Sequence, residues 1–173
     1  MKKNPLLPAL LLSFLFIATL SGAPSSVNLL PGDSSYEGGM GYFRDCWFGT
    51  GGPAVVEDCP DAPDGLRCVV AELAPGGSQS NNGDPIPLKA GRRYVLSLWS
   101  RGDTPATGTV AVVNRHWKDT QTFDYGLSSE WKRFEIAFTP KFDEEYWLVL
   151  GFRNPSKTSP VHVAYDAVQL EEG

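Results

Sequence analysis

Apolar residues in this chain recur at every second position, the period of a β-strand whose side chains point alternately to opposite sides. Over residues 93–101, Tyr94, Leu96 and Leu98 fall on one side, with Val95, Ser97, Trp99 and Arg101 on the other. Phe134, Ile136 and Phe138 oppose Arg133, Glu135 and Ala137 in the same way. Tyr146, Leu148, Leu150 and Phe152 oppose Trp147, Val149, Gly151 and Arg153. The pattern predicts strands over 27–30, 54–57, 67–73, 93–101, 108–115, 131–139, 145–153 and 161–170, with others around 42–48 and 79–88. Residues 118–122 read as a polar loop. Clusters such as Pro75-Gly76-Gly77 and Asn81-Asn82-Gly83-Asp84-Pro85 supply turn chemistry between strands. Short strands at near-regular spacing predict an all-β sandwich, and neither a repeat nor a linker marks a second domain. On two strands the polar side also carries a tryptophan and an arginine, so a sheet presents aromatics where it is expected to hold something.

The first residues break this pattern. Lys2 and Lys3 precede an apolar run over 6–20, followed by the small residues Ser21, Gly22 and Ala23. This is the order of a cleavable signal peptide over 1–23, leaving a domain of 24–173. The run is shorter than the roughly 20 residues a bilayer span needs, so no membrane span is expected after cleavage. The expected location is secreted: extracellular, periplasmic or cell surface. The 173 residues suffice for one domain with a real core, and 42% hydrophobic residues is the composition of a folded protein. Lys and Arg number 15 against 20 Asp and Glu, and loss of Lys2 and Lys3 makes the balance more acidic. Nucleic acid and anionic membrane surfaces are poor partners for such a chain. Export permits disulfides, and three cysteines are present. Cys46 and Cys59 flank a glycine-rich stretch and are the expected pair, with Cys68 a buried thiol in an apolar run. Their spacings do not match zinc motifs.

Several blocks carry a family resemblance. They are Asn28-Leu29-Leu30-Pro31 leading to Glu37-Gly38, Asp64-Gly65-Leu66-Arg67-Cys68-Val69, Gly91-Arg92-Arg93-Tyr94-Val95-Leu96-Ser97-Leu98-Trp99, Trp131-Lys132-Arg133-Phe134 and Tyr165-Asp166-Ala167-Val168-Gln169-Leu170. In this order the chain resembles CenC-type carbohydrate-binding modules, the group joining families four, nine, sixteen and twenty-two. The resemblance implies a jelly-roll β-sandwich of two antiparallel sheets that binds polysaccharide or glycan without catalysis, in the service of an attached or associated glycoside hydrolase. It also implies a structural calcium held by Glu37 and Asp166, with backbone carbonyls near Ser35 and in the 61–65 loop around Gly65. Two positions depart from the family: Asp33-Ser34-Ser35-Tyr36 replaces its Asn-Pro-Gly-Phe turn, and Cys68 stands where serine is usual. Calcium accepts six to eight oxygens, backbone carbonyls included, so such a set is chemically sound.

For sugar binding the candidates are Trp99, Trp117, Trp147 and Trp47, because the C–H face of a pyranose packs on an indole. Arg101, Arg153, Asn114 and His116 could meet the hydroxyls, and Tyr125 could join them. Trp131 is expected to cover one end of the sandwich. Arg101-Gly102-Asp103 is an ordinary strand-to-turn sequence rather than an adhesion motif. No nucleophile elbow, His-Glu-x-x-His or phosphate-cradling glycine loop occurs. The rival to sugar binding is a structural or protein-interaction sandwich. It is separated by whether Trp99, Trp117 and Trp147 line one open groove.

Overall fold

A computed structural model describes residues 27–49 and 54–173. The expected signal peptide lies outside the described residues. The strands in chain order are β1 (Asp45–Gly49), β2 (Val55–Asp58), β3 (Arg67–Leu73), β4 (Ser78–Asn82), β5 (Ile86–Leu88) and β6 (Tyr94–Gly102). They continue with β7 (Thr107–Asn114), β8 (Thr120–Gly126), β9 (Lys132–Phe138), β10 (Glu144–Arg153) and β11 (Val161–Glu172). One sheet runs β1-β4-β10-β7-β8 with β5 also on β10, and the other runs β2-β3-β11-β6-β9. Every pairing is antiparallel. This is the two-sheet sandwich that the alternation predicts. Among the described residues no helix is long and apolar enough to cross a membrane.

The core is the space between the sheets. Tyr146, Leu148, Leu150 and Phe152 of β10 and Val110 and Val112 of β7 come from the first sheet. Tyr94, Leu96 and Leu98 of β6, Val163 and Tyr165 of β11 and Val69 and Leu73 of β3 come from the second. Burying one such side chain stabilises the fold by about 1.5–3 kcal/mol, which is why alternation of hydrophobicity fixes the face each strand turns inward. Tyr165 stacks on Phe152 with centroids 5.7 Å apart and takes the edge of Tyr36 at 5.6 Å. Its buried hydroxyl donates to the Phe43 carbonyl at 3.2 Å and accepts from Asn81 Nδ2 at 3.1 Å, so the polar atom is satisfied.

Three segments differ from their sequence-based expectation. Residues 27–30 form no strand and are tied to β11 by single bonds, with Leu29 N–H donating to the Leu170 carbonyl at 2.7 Å. The stretch 79–88 divides into β4 and β5 at Gly83, where an added Cβ would lie 2.4 Å from the Tyr42 carbonyl oxygen. Residues 120–122 belong to β8, whose odd positions Gln121, Phe123 and Tyr125 turn inward and whose even positions face water. The expected Cys46–Cys59 bridge is corrected as well. Cys59 is a free buried thiol, donating to Asp61 Oδ1 at 3.5 Å and packed in one small cluster with the buried thiol of Cys68.

Candidate functional site

The outer face of the first sheet is built by register. Four rungs cross it, each anchored on an outward residue of β10. Trp147 lies opposite Val113 of β7, which lies opposite Thr120 of β8. Val149 sits between Asn82 of β4 and Ala111 of β7, with Thr122 beyond. Gly151 sits between Ser80 and Thr109, with Asp124 beyond, and Arg153 between Ser78 and Thr107, with Gly126 beyond. Trp147 and Val149 are half-buried while Arg153 is exposed. Small residues occupy the middle rungs. A Cβ on Gly151 would meet Thr109 and the Gln79 carbonyl at 3.7–3.8 Å, ordinary contact, so its absence leaves open floor beside Val149.

Each end of the face has a shallow recess. Thr107, Thr109, Asp124, Tyr125, Gly126 and Arg153 line one of about 330 Å³, in which Thr109 Oγ1 donates to Asp124 Oδ1 at 2.7 Å. Arg115, His116, Glu144 and Glu145 line another of about 350 Å³, where Arg115 pairs with Glu145 at 3.4 Å. Trp117, 59% exposed, stands on the hairpin tip between β7 and β8. Its φ of 57° is the left-handed conformation that side chains with a Cβ rarely adopt.

The expected sugar-binding residues divide between several places. Trp147 and Arg153 share this face, and His116 and Trp117 stand on the β7–β8 tip. Asn114 does not take part: it is fully buried, Oδ1 accepts the Lys118 and Asp119 N–H groups at 2.8 and 2.9 Å, and Nδ2 donates to Glu144 at 2.9 Å. It builds the turn. Tyr125 is also corrected, since its ring turns into the sandwich, 4.3 Å between centroids from Phe134. Trp99 and Arg101 belong to the outer face of the opposite sheet, Trp99 paired with Arg133 and Asp166. Arg101 there bonds Asp61 at 2.6 and 3.2 Å and lies 4.6 Å from the Trp131 ring, so Trp131 covers a face rather than an end. Trp99 and Trp147 therefore cannot line one groove. Trp47 lies on β1, whose side chains fall outside the described residues. Asn82, Ser80, Thr109, Thr122 and Asp124 were missed from sequence. Small polar residues carry no signal of their own, and strand register alone places them beside Trp147.

Of the residues expected at calcium, Glu37 and Asp166 both bond the 64–67 loop. Asp166 Oδ2 accepts the Asp64 N–H at 2.9 Å, and Glu37 Oε1 accepts those of Leu66 and Arg67 at 2.7 and 2.8 Å. Gly65 (φ 89°) fits between them only without a Cβ, which would lie 2.3 Å from Glu37 Oε1. Burial pushes the Asp166 carboxyl up to about 6, opposed by the Asp64 and Ala167 N–H groups and reinforced by the negative charges of Asp64 and Glu37. Ser35 spends its N–H and hydroxyl on Asp33 Oδ1, at 3.0 and 2.7 Å, which leaves its carbonyl as the group to offer. Among the described residues no three Asp, Glu, His or Cys side chains are gathered for a metal. A cation here would draw on backbone carbonyls as well as on the two carboxylates.

A larger recess, about 600 Å³, lies on the outer face of the second sheet. Val55, Val70 and Ala164 contribute apolar lining, and Glu57, Glu72, Asp103 and His162 polar lining. His162 ties up two of those carboxylates, Nδ1 to Asp103 at 3.1 Å and Nε2 to Glu72 at 3.3 Å.

No family model matches the sequence, and no curated protein matches it. Solved structures do. A family 61 carbohydrate-binding module in complex with β-1,4-galactotriose aligns with a TM-score of 0.66 at 17% identity, over 86% of this chain and 100% of that one. The fold is that of the β-sandwich carbohydrate-binding modules. A family 16 module aligns with a TM-score of 0.59 at 19% identity, over 84% of this chain and 100% of that one. The enzymatically active domain of a bacteriophage CBA120 tailspike aligns at 0.64 and 11% identity, where 84% of this chain matches 21% of a much larger one. The same sandwich thus fills the whole of two of these solved chains and about a fifth of the third.

Proposed function

We propose that this chain binds a polysaccharide or glycan without catalysis, on the outer face of the first sheet around Trp147. The observation that carries the reading is the Trp147 rung. A partly buried indole stands at the head of a floor kept low by Ala111 and Gly151 and edged by Asn82, Ser80, Thr109 and Thr122. The apolar C–H face of a sugar stacks on indole, and amide, hydroxyl and guanidinium groups beside it meet the ring hydroxyls. Arg153 and Asp124 extend the polar edge toward the 330 Å³ recess. Such a preformed surface gives weak to moderate affinity per site. Its benefit comes from keeping an attached or associated glycoside hydrolase at high local concentration on its substrate. The basic, apolar and small-residue order over 1–23 is that of a cleavable leader and supports secretion as the setting.

Calcium belongs to the same proposal. Glu37, Asp166 and the carbonyls near Ser35 and Gly65 would hold it, and it would supply the positive charge that Asp166 lacks while joining the first loop to β11. The residues themselves already bring the 61–66 loop against Glu37 on one side and Asp166 on the other.

Affinity electrophoresis through gels containing a panel of polysaccharides, β-1,4-galactan included, tests the binding. Retardation on at least one gel, lost by tenfold or more in affinity in Trp147→Ala, is the expected result. A folded protein that migrates freely through every gel would return the reading to a protein-interaction sandwich.

A further inference from the structure

A second, small apolar cluster lies on the outer face of the second sheet, beneath the loop joining β2 to β3. Cys59, Cys68 and Ala164 form it, with Ala62, Val70 and Trp131 packed against them. The ladder places Glu57 opposite Cys68 and Asp58 opposite Arg67. Cys59 N–H then continues it by donating to the Leu66 carbonyl at 2.7 Å. Because side chains alternate, Glu57 and Cys59 project to the face that carries Cys68, and Cys59 is its diagonal neighbour. The two thiols share one buried cluster, and each is electrostatically close enough to perturb the other. Asp61 accepts from Cys59 Sγ at 3.5 Å, and Arg101 Nη2 lies 3.6 Å from the same sulfur.

A catalytic or metal-binding role does not suit these sulfurs. Burial pushes both thiols up, and the thiolate is the form that attacks or ligates. Among the described residues no third ligating side chain joins them as a metal set. Two thiols in contact across an antiparallel pair, in a chain with an export leader, fit one chemistry. We propose that Cys59 and Cys68 form a structural disulfide as the protein matures in an oxidising compartment. One cysteine thiolate attacks an exogenous disulfide and expels one of its thiols. The second cysteine thiolate then displaces the other thiol from the mixed disulfide. The new S–S bond forms as the exogenous S–S bond breaks; the exogenous disulfide takes the two electrons, and the two cysteine protons end on the released thiols. The exchange belongs to the chain before the loop closes over the sulfurs, and the finished bond is shielded from attack afterwards.

The bond would fix the loop that presents Asp61 to Arg101, Asp64 N–H to Asp166 and Leu66 N–H to Glu37. The proposal is independent of sugar binding, and its test does not involve a sugar.

Trypsin cuts after Arg44, Arg67 and Lys89, so Cys46 and Cys59 share peptide 45–67 while Cys68 lies in peptide 68–89. The full chain is folded in a buffer of glutathione and glutathione disulfide, alkylated, and mapped without reduction. The expected map joins peptide 45–67 to peptide 68–89, with a mass two hydrogens below their sum, and reduction separates them. The link persists in Cys46→Ser and disappears in Cys68→Ser. A loop closed within peptide 45–67, a link lost in Cys46→Ser, or alkylation of all three cysteines would each overturn the proposal. Cys46→Ser keeps both proposed partners, so the test stands even if Cys68→Ser fails to fold.

Discussion

Two residues show how local a face assignment is and how global its meaning. Trp99 and Trp147 each sit on the polar side of a strand with an arginine on the same side, and the sequence treats them alike. Trp99 is on β6 of one sheet and Trp147 on β10 of the other, so they look out from opposite sides of the molecule. Trp99→Ala is expected to leave polysaccharide retardation unchanged in the same gels where Trp147→Ala loses it. A Trp147→Ala protein should still unfold cooperatively in urea, at a cost of about 1–3 kcal/mol for the lost contacts of a partly buried ring. The opposite case is Gly108, where an added Cβ would lie 2.2 Å from the Tyr125 ring. Gly108→Ala should cost about 1–3 kcal/mol of unfolding free energy through overpacking. The cost should shrink in a Tyr125→Ala background, the non-additivity expected of touching residues. Nothing in the sequence around Gly108 announces that contact, since it is made by the facing strand.

At the scale of elements, strand positions were largely legible. β3 occupies 67–73 as expected, and β6, β7, β9 and β10 fall within a residue of their expected limits. Burial of alternate positions is a strong signal over such lengths. What failed was Asn114 at the β7–β8 hairpin, which the sequence groups with His116 as a partner for sugar hydroxyls. Polar side chains that build a turn look the same in sequence as polar side chains that meet a ligand. Asn114 folds its amide into the turn, and buried Asp119 accepts the Lys141 N–H at 2.9 Å and the Tyr146 hydroxyl at 2.9 Å. Asn114→Ala should therefore cost about 1–3 kcal/mol, read by urea denaturation, because it orphans two backbone donors. Burial alone would raise the Asp119 carboxyl, but the Lys141 N–H, the Tyr146 hydroxyl and the Lys141 charge outweigh it and hold it below its ordinary value of 3.8. The unfolded chain then takes up the proton first. The stability Asp119 contributes is complete above that ordinary value and is lost as pH falls through the lower, folded one. Asp119→Asn should flatten the acid limb of a stability-against-pH curve and lower its neutral plateau.

On the scale of the whole molecule, the two outer walls of the sandwich have different fates. The wall of the first sheet carries the low floor beside Trp147, while on the second the 59–66 loop, Arg101 and Trp131 roof over Cys59 and Cys68. Pairing order decides this, and pairing order was not legible: alternation says that a residue points outward but not from which sheet. The cysteines teach the same lesson, for the glycine-rich spacing suggested Cys46 as the partner of Cys59, while the β2–β3 ladder brings Cys68 beside it, both as free thiols. Glu37 and Asp166 both bond the backbone of the 64–67 loop, and the approach of Glu37 depends on Gly65 having no side chain. If calcium sits there, a chelator should lower the thermal midpoint by several degrees and restored calcium should bring it back; an unchanged midpoint would remove calcium from the proposal.

The twelve residues of β11 run through the middle of the second sheet, bonded to β3 on one side and β6 on the other. Translation delivers this keystone after every other described strand has been made. Until residue 172 leaves the ribosome, β2 with β3 and β6 with β9 are two separate hairpins, and half of the sandwich has no centre. The described strands can therefore close into a two-sheet sandwich only after synthesis has passed residue 172.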